Sequence, residues 1–89
     1  MLKLANELPY DIFEKRFGGE GDVKSTRLLE VEQMKGKGRA FNLMMLTPGS
    51  SLGYHQHNGE TETYYILSGE GMLNDNGEQK PLNPGDVAF

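Results

Sequence analysis

Residues 49–71 read GSSLGYHQHNGETETYYILSGEG. Both histidines of the 89-residue chain, His55 and His57, lie in this stretch with one residue between them. Asn58-Gly59 follows them, and this dipeptide favours a tight turn between two antiparallel strands. The stretch therefore predicts one strand over 52–57 and a second over 61–68, joined by a hairpin turn.

Short apolar runs separated by glycine and proline continue on both sides of these two strands, which is typical of many short strands joined by turns. They predict strands over 23–31 and 39–47, a turn over 35–39, a hairpin at NDNG (74–77), a turn over 81–86 and the beginning of a strand at DVAF (86–89). Residues 10–17 are the one segment in which we expect a helical turn or two. The sequence thus predicts an all-β barrel or sandwich.

Length allows one domain, which we divide into an N-terminal arm over 1–22 and barrel strands over 23–89. The net charge of −4 argues against a nucleic-acid partner, because phosphate binding needs a basic surface. The chain has no cysteine, so disulfides and thiolate metal sites are excluded. No stretch has the length and hydrophobicity of a membrane span. We expect a soluble, cytoplasmic protein without a membrane partner.

The spacing of the histidines suits metal binding. Residues two apart on a strand face the same way, so His55 and His57 should project side by side. The turn brings the next strand back alongside, which places Glu62 opposite or diagonal to them. Two imidazoles and one carboxylate suit a divalent ion such as Mn, Fe, Zn, Ni or Co. Taken alone, the H-x-H pair is more simply explained as two surface histidines near a turn, and Glu60 is best explained as a solvated turn residue.

The wider pattern strengthens the metal interpretation. From Gly49 to Gly69 the chain reads G-x5-H-x-H-x4-E-x6-G, which resembles the first signature motif of the cupin superfamily. The resemblance implies a small barrel of short antiparallel strands, a double-stranded β-helix or jelly roll, with a metal at its centre. It also implies that His55, His57 and Glu62 are the metal ligands.

The second motif of that superfamily begins with a glycine and supplies a fourth ligand, a histidine. NPGDVAF places Gly85 at the start of this motif, and the given sequence ends at Phe89. The resemblance therefore implies that the fourth ligand and the closing strands of the barrel lie beyond this sequence, and that the barrel is incomplete at its C-terminal end.

Three further side chains are candidates for the lining of a ligand pocket. Tyr64 and Ile66 alternate with Glu62 and should share its side of the strand. Met44 lies on one face of the strand over 39–47 and would also suit an irregular cavity. Packing in the core is the alternative explanation for all three.

Two functions remain open. The first is a metal-dependent enzyme acting on a small organic molecule, and the resemblance implies a dioxygenase, a decarboxylase or an isomerase. The second is a non-catalytic sensor or storage barrel with a structural or vestigial metal. Because the strand over 39–47 is apolar on both faces, we expect it to be buried on both sides and the protein to form a homodimer through a sheet face.

Overall fold

The computed structural model describes residues 1–53 and 59–89, and within them the chain is built from short strands. The strands are β1 (Tyr10–Glu14), β2 (Asp22–Leu29), β3 (Phe41–Leu46), β4 (Tyr64–Tyr65), β5 (Gly71–Asp75), β6 (Glu78–Leu82) and β7 (Val87–Ala88). The helical elements in these two ranges are 3₁₀ helices of one turn: Ala5–Glu7, Arg16–Gly18 and Val31–Met34. The all-β prediction is confirmed.

The chain divides into two compact units, Met1–Tyr54 and His55–Phe89. Strand β1 belongs to the first unit and lies within residues 1–22, which are predicted from the sequence to form an N-terminal arm. The division of the chain into an arm and a barrel stays a prediction.

The expected helical turns over 10–17 are wrong for most of that segment. Residues Tyr10–Glu14 form a strand that pairs antiparallel with β2, with Tyr10 opposite Thr26 and Phe13 opposite Val23. Aromatic and β-branched side chains at these positions favour a strand. A helix of so few residues would also be marginal in water, whereas the β2 backbone offers a ladder of hydrogen bonds.

The first unit is a three-stranded antiparallel sheet with the order β1-β2-β3. One face of β2 is buried: Val23 is fully buried, and Ser25 on the same side is nearly so. Lys24 and Thr26 point to the other face, opposite Met45 and Leu43 of β3. The alternation of buried and exposed side chains is that of a sheet with one covered face.

Strand β3 confirms the predicted strand over 39–47, but the expectation that it is buried on both sides is wrong. Phe41 is 55% exposed and Met45 is 59% exposed. Both lie on the open face of the sheet. An apolar pattern on both faces reports how hydrophobic a strand is, and it does not report whether anything covers each face.

In the second unit, β5 and β6 form the hairpin predicted at NDNG. Asn76 and Gly77 occupy its two-residue loop with φ values of 51° and 91°. Two successive positive φ values are characteristic of the type I′ turn, which matches the twist of the paired strands. The side-chain oxygen of Asn74 accepts a hydrogen bond from the Gly77 N–H at 2.9 Å and supports the turn.

Strands β4 and β7 pair antiparallel, with Tyr64 opposite Ala88 and Tyr65 opposite Val87. The strand predicted over 61–68 is therefore present but much shorter, and the strand predicted at DVAF is confirmed. A turn centred on Gly85, with φ of 93°, precedes β7. The strand predicted over 52–57 falls largely outside the described residues, and its described part, Leu52 and Gly53, has no regular structure.

No helix in the described part of the chain is long and apolar enough to cross a membrane. The cytoplasmic location stays a prediction.

Replacing Val23 with alanine should lower the free energy of unfolding by about 2 kcal/mol, because it leaves a cavity in the covered face of the sheet. Urea denaturation followed by circular dichroism measures the change. Met72→Ala is the control: Met72 is 63% exposed on β5, and its truncation should change stability by less than about 0.5 kcal/mol. Equal effects of the two substitutions would contradict the assignment of Val23 to the core.

Candidate functional site

The predicted ligands are only partly visible. His55 and His57 lie outside the described residues, so their grouping with Glu62 stays a prediction. Glu62 is described and half-buried. Within residues 1–53 and 59–89, no three His, Cys, Asp or Glu side chains come together in a set that could hold a metal.

Glu62 lines an open cleft in the unit His55–Phe89, with a volume of about 690 Å³. The β5–β6 hairpin, strand β7 and the segment leading into β4 form its walls. The lining residues are Glu60, Thr61, Glu62, Tyr64, Leu73, Asp75, Lys80, Pro81, Leu82, Asp86, Val87, Ala88 and Phe89.

Of the three predicted pocket residues, Tyr64 lines this cleft. Ile66 does not; its backbone instead continues the pairing next to β7, where its N–H donates to the Asp86 carbonyl at 3.0 Å. Met44 lies on β3 of the other unit.

Tyr64 and Glu62 form one hydrogen-bonded pair in the cleft. They are two residues apart at the start of β4, the spacing that puts side chains on the same side of an extended chain. The Tyr64 hydroxyl donates a hydrogen bond to the Glu62 carboxylate. The pKa of the Tyr64 phenol is raised well above its usual value, mainly by partial burial and to a smaller extent by the neighbouring Glu62 carboxylate. The Tyr64 hydroxyl therefore keeps its proton.

The lining of the cleft is acidic. Among the described residues that line it, the formally charged side chains are four carboxylates and one ammonium: Glu60, Glu62, Asp75, Asp86 and Lys80. The Lys80 ammonium is already engaged, at 3.0 Å from Asp75 Oδ2 and 3.7 Å from Glu78 Oε2. An excess of negative charge around a concave surface attracts cations and repels anions.

The Glu62 carboxylate has the chemistry of a metal ligand. A carboxylate has two oxygens with several lone pairs, so it can accept a hydrogen bond and bind a cation at the same time. Carboxylates that bind metals are commonly held by such a hydrogen bond, which fixes their orientation. Tyr64 is placed to perform this role, and a divalent cation would also offset the acidity of the cleft.

Lys80, Asp75 and Asp86 line the cleft and were not predicted as site residues from the sequence. The sequence of the hairpin could have predicted the placement of Lys80 and Asp75. Once the turn at Asn76-Gly77 fixes the register, Leu73 stands opposite Lys80 and Asp75 opposite Glu78. Alternation along each strand then places these side chains on the face that carries Leu73.

Comparison with known proteins supplies the family. A profile of the cupin domain matches residues 42–89. The chain is 45% identical over 89 residues to an oxalate-binding protein of Thermotoga maritima, and the match covers 100% of this chain and 74% of that protein. It also superimposes with a TM-score of 0.94 on the crystal structure of a predicted oxalate decarboxylase from Thermotoga maritima, at 45% identity, covering 100% of this chain and 77% of that one. Because both the profile and a relative matched along the whole chain agree with the resemblance seen in the sequence, the chain belongs to the cupin family.

Proposed function

We propose that this protein binds a small dicarboxylate of the oxalate type through a divalent metal held by His55, His57 and Glu62. The observation that carries the proposal is the 45% identity, along the entire chain, to an oxalate-binding protein. The cleft that contains Glu62 gives the proposal a physical setting in this molecule.

The charge of the cleft supports a metal-dependent mode of binding. Oxalate carries two negative charges at neutral pH, and the described residues of the lining offer four carboxylates against one ammonium that is paired with Asp75. Like charges at close range would disfavour the dianion. A divalent ion would offset most of this negative charge, and it would supply Lewis-acid positions for the two carboxylates of the ligand.

The chain's own residues would divide the remaining tasks. His55, His57 and Glu62 would hold the ion, and this set suits Mn, Fe, Co, Ni or Zn. Tyr64 would orient Glu62 through the hydrogen bond between them. Leu73, Leu82 and Val87 contribute apolar surface to the cleft, which would limit the access of water to the bound ligand.

Catalysis is a second candidate, because the solved relative carries the description of a predicted oxalate decarboxylase. Decarboxylation would break the carbon–carbon bond of oxalate and place one proton on carbon, so that the dianion and one proton give formate and carbon dioxide. Binding without turnover corresponds to the sensor or storage alternative. Formate production by the metal-loaded protein distinguishes the two.

The ligand assignment predicts a clear loss of metal. The parent protein should bind a divalent ion stoichiometrically, and the double variant His55→Ala/His57→Ala should not, by elemental analysis after dialysis. Isothermal titration should show oxalate binding to the metal-loaded parent and none to the metal-free parent. Gln56→Ala, between the two histidines, is the matched control and should keep both metal binding and oxalate binding. Equal metal in the double variant and the parent would refute the site.

The Tyr64–Glu62 hydrogen bond predicts a smaller effect. Tyr64→Phe should weaken metal binding about 10-fold, within the range typical of groups that orient metal ligands. Tyr65→Phe is the control, since Tyr65 is the next residue on β4 and its side chain is 61% exposed. Competition with a fluorescent chelator measures both dissociation constants. An unchanged constant for Tyr64→Phe would show that the hydrogen bond does not support the site.

We also propose that the open face of the β1-β2-β3 sheet is the interface of a homodimer. Its exposed apolar side chains are Tyr10, Ile12, Phe41, Leu43 and Met45. Together they expose on the order of 500 Å², which is comparable to the largest apolar patch of a typical soluble monomer, a kind of patch that is often functional. It is also a substantial share of the ~800 Å² that each partner of a stable pair buries. Glu14 and Asp22 share this face with Lys24, so a two-fold arrangement could pair opposite charges around an apolar centre.

The interface predicts a dimer mass by light scattering at tens of micromolar. Ile12→Lys/Met45→Lys should give a folded monomer, because both charges would be buried without partners at the interface. Met72→Lys is the control, since Met72 is equally exposed but lies on the β5–β6 hairpin. A parent protein that is monomeric at this concentration would contradict the proposal.

A further inference from the structure

The segment that leads to the two histidines is held by a loop from the beginning of the chain. Residues 47–53 follow β3 without forming a strand. The Ser51 N–H donates to the Glu20 carbonyl at 2.7 Å, and the Gly53 N–H donates to the Arg16 carbonyl at 2.9 Å. Two backbone N–H groups of 47–53 that would otherwise need a sheet neighbour are therefore satisfied by carbonyl groups of residues 16–22.

Serine side chains bind the same two segments together from the opposite direction. The Ser51 hydroxyl accepts a hydrogen bond from the Glu20 N–H at 2.9 Å, and the Ser50 hydroxyl accepts one from the Asp22 N–H at 3.2 Å. Thr47 Oγ1 lies 2.6 Å from Ser50 Oγ and joins this set. We call residues 16–22 and 50–53 together the clamp.

Two glycines make this close approach possible. A Cβ on Gly19 would overlap the Ser51 carbonyl oxygen, and a Cβ on Gly53 would overlap the Phe17 carbonyl oxygen and lie 3.0 Å from the Gly19 nitrogen. Neither glycine has a φ in the left-handed region. Their lack of a side chain is therefore needed for contact between two backbones and not for a turn.

The clamp ends two residues before His55. Two Cα–Cα steps of about 3.8 Å separate Gly53 from that histidine, so a fixed Gly53 restricts the space that His55 can reach. A metal site needs its ligands held close to their bound arrangement, since each freely rotating backbone segment must be ordered when the ion binds.

We infer that the clamp is a positioning device for the metal-binding histidines: contact of Gly19 with Gly53 and the hydrogen bonds of Ser51 fix the chain where it enters the His55–His57 segment. The inference rests on the proposed function, because it assigns the clamp a role at that same metal site. Its residues do not touch the metal; they act through the chain that carries the ligands.

Cobalt(II) is a suitable probe, because its visible absorption reports both affinity and coordination. Gly53→Ala should weaken cobalt binding about 10- to 100-fold and change the absorption spectrum, as is typical when groups that orient metal ligands are removed. Ser51→Ala should have a smaller effect in the same direction, and Ser51→Thr, which keeps the hydroxyl, should restore the parent values.

Two controls separate positioning from general stability. Gly71→Ala replaces a glycine that also lacks a left-handed φ and has nothing within 4 Å of an added Cβ, so it should leave the cobalt affinity unchanged. Val23→Ala destabilises the sheet that carries the clamp, and below its unfolding temperature it should keep the parent spectrum and affinity. Circular dichroism checks that each variant is folded; if Gly53→Ala is not, the Ser51 pair decides the question.

The outcomes distinguish the inference from the proposed function. If the parent binds cobalt and folded Gly53→Ala and Ser51→Ala bind it with the same affinity and spectrum, the clamp has no positioning role and the metal site stands. If Val23→Ala weakens binding as much as Ser51→Ala does, the effect is one of stability and the inference is wrong. If the parent binds no cobalt, the proposed function fails and the inference fails with it.

Discussion

The hydrogen-bond pairing of β2 on both of its edges is the interaction on which the unit Met1–Tyr54 depends. β1 and β3 each pair with it, and within the described residues no other strand has two neighbours. Fully buried apolar side chains are few by comparison, since Val23 is the one hydrophobic side chain that is fully buried in the described part of the chain. A small chain with so little core depends on satisfying its backbone groups in ladders and turns. In the clamp, backbone groups of 47–53, which form no strand, are likewise satisfied by hydrogen bonds to residues 16–22.

Electrostatics imposes the corresponding constraint on the unit His55–Phe89. The hairpin turn at Asn76-Gly77 brings Asp75 and Lys80 onto one face, where they form an exposed ion pair. Such a pair contributes little to stability, but it engages Lys80, which is the one cationic side chain among the described residues that line the cleft. Lys80 is therefore less available to bind an anion. The remaining carboxylates leave the cleft acidic. A cation is therefore the partner that the described side chains favour, and an anionic ligand is favoured only together with one.

Features with a local cause were predictable from the sequence. The type I′ turn follows from Asn76-Gly77, because these residues accept positive φ at both loop positions. The family followed from the fixed spacing of Gly49, His55, His57, Glu62 and Gly69. The pairing of β1 with β2 was missed, since the pattern over 10–17 is ambiguous in isolation and the strand becomes favourable only when β2 lies alongside. Exposure of Phe41 and Met45 was missed for a related reason, because covering a face requires a partner that the pattern of one strand does not reveal.

The clamp could not be predicted from the sequence, because no local sequence feature indicates it. Gly19 and Gly53 are 34 positions apart, and each resembles an ordinary loop glycine until the two backbones are seen in contact. Their φ values do not require glycine, so turn chemistry would not have identified them. What distinguishes them is the absence of space for a Cβ. Long-range contact between backbones of this kind is a constraint that two distant positions share, and it is established only when the chain has folded. The metal ligands were recognisable because their chemistry is carried by side chains. The groups that restrain the chain beside them are backbone atoms, which every residue possesses.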